Sequence, residues 1–383
     1  MTHSTTLTFS ALMAISMLAT SCGQKETAPD NTIDLTPAFE SGDTVNFYDL
    51  LDTAYVVKLE TSDECLIGAS PLYQIIDKNI CVSERFSSSN TLVKLFDKNG
   101  NFVTSIKQGN GPGEIVGGLS GIVDDKKRNR LIVADLSYQL KYYDYDLNYI
   151  ACGAQPIEPV FSGFFVCGDR YVFMVPDYLG NPAWGEFSDC KMIVTDTNMN
   201  ILEGYMHYVL PELPHTIFNN SGTFAQNGGK AYYQKTQWDT LYVYDTALHA
   251  LPVNFPDKAK IDIPINYVDK NELQRINGNY VYKAKPFDNY ILFTIKPAGD
   301  VLYCKSTKMS VMVNSVPATF SRYGNCFVES LNYMDLKRYK DNNKSKLSEL
   351  KRVLSESDYA KLESLTEDDN PVLIFHQLKK TLE

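Results

Sequence analysis

The chain has 383 residues, with 36 Lys and Arg against 46 Asp and Glu and a formal charge of −10. That balance excludes a basic nucleic-acid binder on bulk electrostatics, and 44% hydrophobic with 21% charged residues excludes a mostly disordered chain. The 12% aromatic content, with 25 Tyr and 19 Phe, favours strands, and no apolar run reaches the roughly 18 to 20 residues that a spanning helix needs.

The chain opens with an address. Leu7 to Thr20 is an apolar stretch of signal-peptide length, too short to span a membrane. Leu18-Ala19-Thr20-Ser21-Cys22 resembles a bacterial lipobox, which implies cleavage before Cys22 and a lipid on its sulfur. The first six residues depart from a signal by lacking Lys and Arg. Residues 1–21 are therefore expected to be a lipoprotein signal peptide. Residues 22–44, with polar Gly23 to Thr32 at their head, are expected to be the lipidated Cys and a flexible tether. The remaining seven cysteines are odd in number and lack C-x-x-C spacing. Several sit in apolar runs such as Ile80-Cys81-Val82, so they read as small buried hydrophobes.

From about residue 70 to 330 short strands alternate with turns. An aromatic or Thr followed by Asp closes a strand at Asp97, Asp144, Asp196 and Asp245, in steps of 47, 52 and 49, and Tyr303 to Lys308 is a degenerate fifth copy. Each copy has two strands upstream, for example Asn79 to Ser83 and Thr91 to Phe96, and one strand downstream. A multi-strand unit repeating every 50 residues or so marks a β-propeller blade. The Asx residues and Gly100 suit tight hairpins, since Asx side chains bond the backbone two residues on and Gly accepts positive φ. The alternating acids of a calcium loop are missing from Asp97-Lys98-Asn99-Gly100.

Thr53 to Thr61 and Pro371 to Leu378 are strong strands at opposite ends of the chain. Pairing them in one sixth blade closes the ring without an open edge. Between them, 334–369 reads as a helical insertion before the closing strand. Leu347, Leu350, Val353 and Leu354 share a face, and Ser355-Glu356-Ser357-Asp358 fits a capping box ahead of Leu362 and Leu365. The expected fold is an all-β, six-bladed propeller over residues 45–383.

Three segments carry a family resemblance. They are Leu95-Phe96-Asp97-Lys98-Asn99-Gly100-Asn101-Phe102 running into Gly109-Asn110-Gly111-Pro112-Gly113-Glu114, the strand Val56-Val57-Lys58-Leu59-Glu60-Thr61, and Asn370-Pro371-Val372-Leu373-Ile374-Phe375. Here the chain resembles the six-bladed β-propeller lipoproteins common in Bacteroidota. The resemblance implies the propeller fold over about 45–383 and no settled activity.

Catalytic motifs are missing. Gly109 to Gly113 lacks the helix N-terminus of a phosphate cradle and has Pro112 where a backbone N–H is needed. His207, His215, His249 and His376 show no metal spacing in sequence. The links between blades gather at a propeller's channel mouth, so Glu114, Glu158, Glu212 and His215 are the candidate ligand-binding residues there. Tyr178, Trp184 and Trp238 are candidate stacking platforms. The expected function is a lipid-anchored binding module in the outer membrane, on its periplasmic or surface face. Such a module is a monomer without cofactor or nucleic acid, and its partner is a glycan, a peptide or an envelope protein. The alternative is a metal-dependent hydrolase or lyase with its site at the channel mouth.

Overall fold

The computed structural model describes residues 31–382, apart from 69, 86–90, 138, 155–162, 176–181, 208–221, 237 and 260–276. Its strands form six sheets, the blades of a six-bladed β-propeller. Blade 1 runs Leu72–Ile76, Asn79–Ser83, Thr91–Phe96, Phe102–Lys107, as an antiparallel meander. Blades 2 to 5 begin at Leu119, Gly163, Gly222 and Tyr280 and repeat that order. Each blade holds one strand more than the repeat read from sequence. The extra strand is the first, as in Gly222–Asn227 and Tyr280–Pro286, where Gly, Gln, Lys and Tyr blur the apolar alternation.

Polar side chains stitch neighbouring blades together. Gln74 Nε2 donates to the Ile122 carbonyl (3.2 Å), Arg130 Nη2 to the Tyr171 hydroxyl (3.0 Å) and Gln226 Nε2 to the Val166 carbonyl (2.7 Å). Thr236 Oγ1 reaches the Tyr282 carbonyl (3.0 Å), Arg322 Nη1 the Pro286 carbonyl (2.6 Å) and Ser330 Oγ the Tyr73 hydroxyl (3.1 Å). These bonds cover all six junctions.

Blade 6 is built from both ends of the chain, as the terminal strands suggested. Ser321–Tyr323, Cys326–Leu331 and Val372–Leu378 supply three strands, and Leu51–Lys58 pairs antiparallel with the last of them. Val57 stands opposite Leu373, and the Tyr55 and Phe375 rings stack 4.8 Å apart.

The chain ahead of that strand is part of the packed body. Ile33–Asp34 adds a parallel fifth strand to blade 4, and Thr44–Asn46 does so on blade 5. The expected tether through residue 44 is corrected from Ile33 onward, because Ile33, Leu35 and Ala38 are buried against blades 4 and 5. Phe47 and Tyr48 follow in a buried 3-10 turn.

Strands alternate direction, so the connections sort onto two faces. On the turn face lie the hairpins between first and second and between third and fourth strands. Asp97, Asp144 and Asp196 build one geometry three times there: each Oδ1 accepts two backbone N–H groups, and each Oδ2 accepts an Asn side chain. The fourth turn residue has positive φ, which suits Gly100 but strains Leu147 (62°) and Met199 (69°). Those two side chains are buried, which offsets a left-handed cost of roughly 1–2 kcal/mol. On the opposite link face run the described blade-to-blade connections 59–68, 108–118 and 315–320, and the long loop between the second and third strands of blade 6.

The helical insertion occupies one such loop, in blade 6, as Tyr333–Asn342, Lys344–Val353 and Glu356–Glu363. The Ser355 cap forms, its hydroxyl accepting from Asp358 N at 3.1 Å, and Leu350, Leu354, Leu362 and Leu365 are buried against blades 5 and 6. Beneath the helices His376 stands in the apolar row Val372, Ile374, Leu378. Its Nε2 bonds Glu329 Oε2 at 3.0 Å, and Lys346 Nζ meets the same carboxylate at 3.2 Å. Burial pushes the His376 imidazole below its ordinary value, despite Glu329. Burial works to raise Glu329, but the His376 hydrogen bond and Lys346 outweigh it and hold the carboxyl low. Both groups take up protons more readily in the unfolded chain. Stability should therefore fall as pH drops below about 6.5, where unfolded His protonates, and again below about 4.3, where unfolded Glu does. Thermal unfolding from pH 7 to 4 should show both phases. His376→Leu, which continues the apolar row, should remove the upper phase and keep the lower; an unchanged upper phase would refute the assignment.

Candidate functional site

Of the four residues proposed for the channel mouth, Glu158, Glu212 and His215 lie outside the described residues, as does Tyr178 among the proposed stacking platforms. Glu114 is on the link face, but its carboxylate folds back on its own loop. Oε2 accepts Gly111 N at 2.8 Å, and a side-chain carbon at Gly109 would stand 2.1 Å from that oxygen. Gly109 to Gly113 thus forms a turn around Glu114, and Lys141 Nζ holds the Glu114 carbonyl from below. Trp184 corrects the stacking expectation. It is 7% exposed, within the apolar group that includes Phe173, Val175 and Cys190. Trp238 remains half-buried on the link face against Tyr233 and Tyr242, with Lys235 Nζ 5.5 Å from its ring. Its indole N–H is buried and has no acceptor among the described residues.

The link-face ends of the strands carry buried charge that the repeat alone does not announce. Lys94, on the third strand of blade 1, meets Glu84 at 2.5 Å, and Glu84 also accepts Gly68 N. Lys141, on the third strand of blade 2, lies 3.9 Å from Asp135. In blade 3 the equivalent strand brings Lys191, which donates to the Val175 carbonyl, and the second strand of blade 4 ends in Lys235. Burial, then the charge of Lys235, pushes the Lys191 ammonium down to about 7; burial pushes Lys235 down to about 8.

A second cluster sits at the outer edge of blade 3. Cys190 opens the third strand, Cys190–Thr195, and His207 ends the fourth, Ile201–His207. The two stand directly opposite one another in the ladder, which puts both side chains on one side of the sheet. Cys190 Sγ lies 3.7 Å from His207 Nδ1, and that nitrogen lies 2.8 Å from Asp189 Oδ1. Burial lifts the Cys190 thiol to about 11, with Asp189 adding to the rise, so it is protonated at neutral pH. Gly204 makes room for the sulfur, since a side-chain carbon there would stand 2.6 Å from it and 2.5 Å from the Phe187 ring. Sequence spacing hid this group, because 17 residues separate Cys190 from His207 and only the hairpin joins them.

A family model described as a domain of unknown function, DUF4934, matches residues 30–377. The chain belongs to the DUF4934 family. No curated protein matches it. Among solved structures it is similar to a candidate exported protein of Bacteroides fragilis. That pair has 20% identity and a TM-score of 0.67, over 91% of this chain and 100% of the other. A DUF4221-family member from Bacteroides vulgatus aligns at 10% identity and a TM-score of 0.48, over 86% of this chain and 97% of the other. The first of these supports the fold of this DUF4934 chain.

Gly204→Ala tests the packing behind the cysteine. The new methyl group should cost about 1–3 kcal/mol in urea unfolding, because Phe187 and Cys190 must both move. It should also speed alkylation of Cys190 in the native protein. A neutral substitution with unchanged thiol protection would disprove the close approach.

Proposed function

We propose that this DUF4934 protein is a lipid-anchored propeller of the bacterial cell envelope. It binds a glycan, a peptide or an envelope protein across its link face and carries out no catalysis. The observation that carries the reading is the division of labour between the two faces. Tight, self-satisfied hairpins close the turn face, whereas the described blade-to-blade connections, the helical insertion and Trp238, whose indole N–H has no acceptor among the described residues, belong to the link face. Ligand sites concentrate on such loops because a rigid scaffold positions them while leaving their sequence free.

The apolar leader ahead of Cys22 supports the address, as does the fold shared with a Bacteroides fragilis protein named as a candidate for export. Lipidation on Cys22 places the tether ahead of Ile33, where the packed body begins. One acyl chain gives only marginal membrane binding, so stable anchoring needs the diacylglycerol that a lipobox cysteine receives.

Two measurements test this reading. Metabolic labelling with a fatty acid should mark the protein, and Cys22→Ser should lose the label and move to the soluble fraction; equal labelling of both would overturn the anchor. Thermal shift against glycan fragments and peptides, run in EDTA, should find a ligand that stabilises by about 2.7 kcal/mol at 100 times its Kd. Trp238→Ala should shrink that shift. Asp144→Ala, on the turn face, should lower the baseline Tm and keep the shift. The opposite pattern would place binding on the wrong face.

A further inference from the structure

We propose that Asp189, Cys190 and His207 form a site for one divalent transition-metal ion of the zinc class, at the outer edge of blade 3. No other group of three His, Cys, Asp or Glu ligand atoms converges this closely among the described residues. The donors are one sulfur, one nitrogen and one oxygen, a set that suits zinc or cobalt and not calcium or magnesium.

One distance is already close to that of a tetrahedral shell. With metal–sulfur near 2.3 Å and metal–nitrogen near 2.0–2.1 Å, sulfur and nitrogen stand about 3.5 Å apart. Cys190 Sγ is 3.7 Å from His207 Nδ1, and the exposed imidazole would turn to aim that nitrogen's lone pair at the ion. The other contact, 2.8 Å between Asp189 Oδ1 and His207 Nδ1, is a hydrogen bond. The ion would take the place of its shared proton, and the two atoms would part by about half an ångström.

The setting suits an ion as well. The cross-strand pairing of Cys190 with His207 fixes two ligands on rigid backbone, and Asp189 precedes Cys190 directly. The sulfur is buried behind the sheet edge, while the His207 and Asp189 side chains are 62% and 48% exposed. An ion therefore has an entry path from solvent and a dry sulfur to close on. The hydrogen-only side of Gly204 leaves the sulfur its place between Phe187 and the strand. Three protein ligands leave a fourth, solvent-facing position for water or a ligand atom. Binding converts the Cys190 thiol to thiolate: the S–H bond breaks, a metal–sulfur bond forms, and one proton leaves to solvent. Affinity therefore rises with pH.

Cobalt titration of the full chain, stripped of metal beforehand, tests the site. One Co²⁺ per chain should bind with a near-ultraviolet sulfur-to-cobalt charge-transfer band and the intense visible bands of tetrahedral cobalt, both displaced by Zn²⁺. Cys190→Ser should abolish the charge-transfer band. His207→Ala, at an exposed position that leaves the fold intact, should weaken binding by more than about 100-fold, beyond the effect of losing an outer-shell partner. Cys22→Ser and Cys152→Ser should keep the band. Absence of the band from the unsubstituted chain, or its survival in Cys190→Ser or at full affinity in His207→Ala, would overturn the proposal. The ligand reading stands apart from this outcome, because its thermal shift is measured in EDTA.

Discussion

Closure of blade 6 is the constraint on which the rest depends. A ring of sheets has no edge only if its first and last strands meet, and here they meet through the ladder between Leu51–Lys58 and Val372–Leu378. That ladder joins residues more than 300 positions apart, so a large loop entropy must be met before the contact is gained. The Tyr55–Phe375 stack and the buried row Val56, Ile374, Val372 reward it. Asn370 adds a polar latch just before the closing strand. Its side-chain amide donates to the Glu60 and Cys65 carbonyls and accepts Ile67 N, tying the two ends of the chain on the link face. The segment from Ile33 to Tyr48 lies over blades 4 and 5 before the chain enters blade 6, so closure also secures the strap that leads toward Cys22.

The buried charges obey a shared logic. Lys94 with Glu84, Lys141 with Asp135 and His376 with Glu329 each set a basic group on a third strand against an acid on the second or just past its end. Such pairs gain little net stability, because desolvation cancels most of the Coulomb attraction. Breaking one is costly, however, since it strands a charge in the core. A one-residue slip between the second and third strands would do that in each case and would also turn the apolar rows outward. The pairs therefore act on strand register.

Much of this fold was legible in the sequence, for a physical reason. A hairpin turn is a local event, so Asp97, Asp144 and Asp196 declare themselves by short-range chemistry repeated every 50 residues or so, and the closing strands declare themselves by strong alternation. The first strands of the blades were illegible because they serve two masters. They pair on one side only and carry Gln74, Lys283 and Arg322 among their apolar residues. The tether was overextended because Ile33, Leu35 and Ala38 are sparse apolar residues whose burial depends on distant blades. Glu114 was legible as a link-face residue and illegible as a cap of its own loop. The Asp189, Cys190 and His207 group could be found only after strand pairing was known, since its spacing matches no local ligand motif.

The separation of faces leaves the links free to vary while the ring holds. The bonds that hold blade to blade involve first and second strands, and the Asx turns seal the far side, so neither depends on the composition of the links. A link can then change length or charge without disturbing the ladder, and a helical pair or triplet can be inserted, as 333–363 shows in blade 6. That insertion is tolerated because it brings its own apolar face and its own partner for Glu329, through Lys346. The edge cluster of blade 3 lies at the border between the two regimes. Its sulfur belongs to the packed sheet and its imidazole and carboxylate to solvent, so a ligand held there would draw its rigidity from the scaffold and its accessibility from the links.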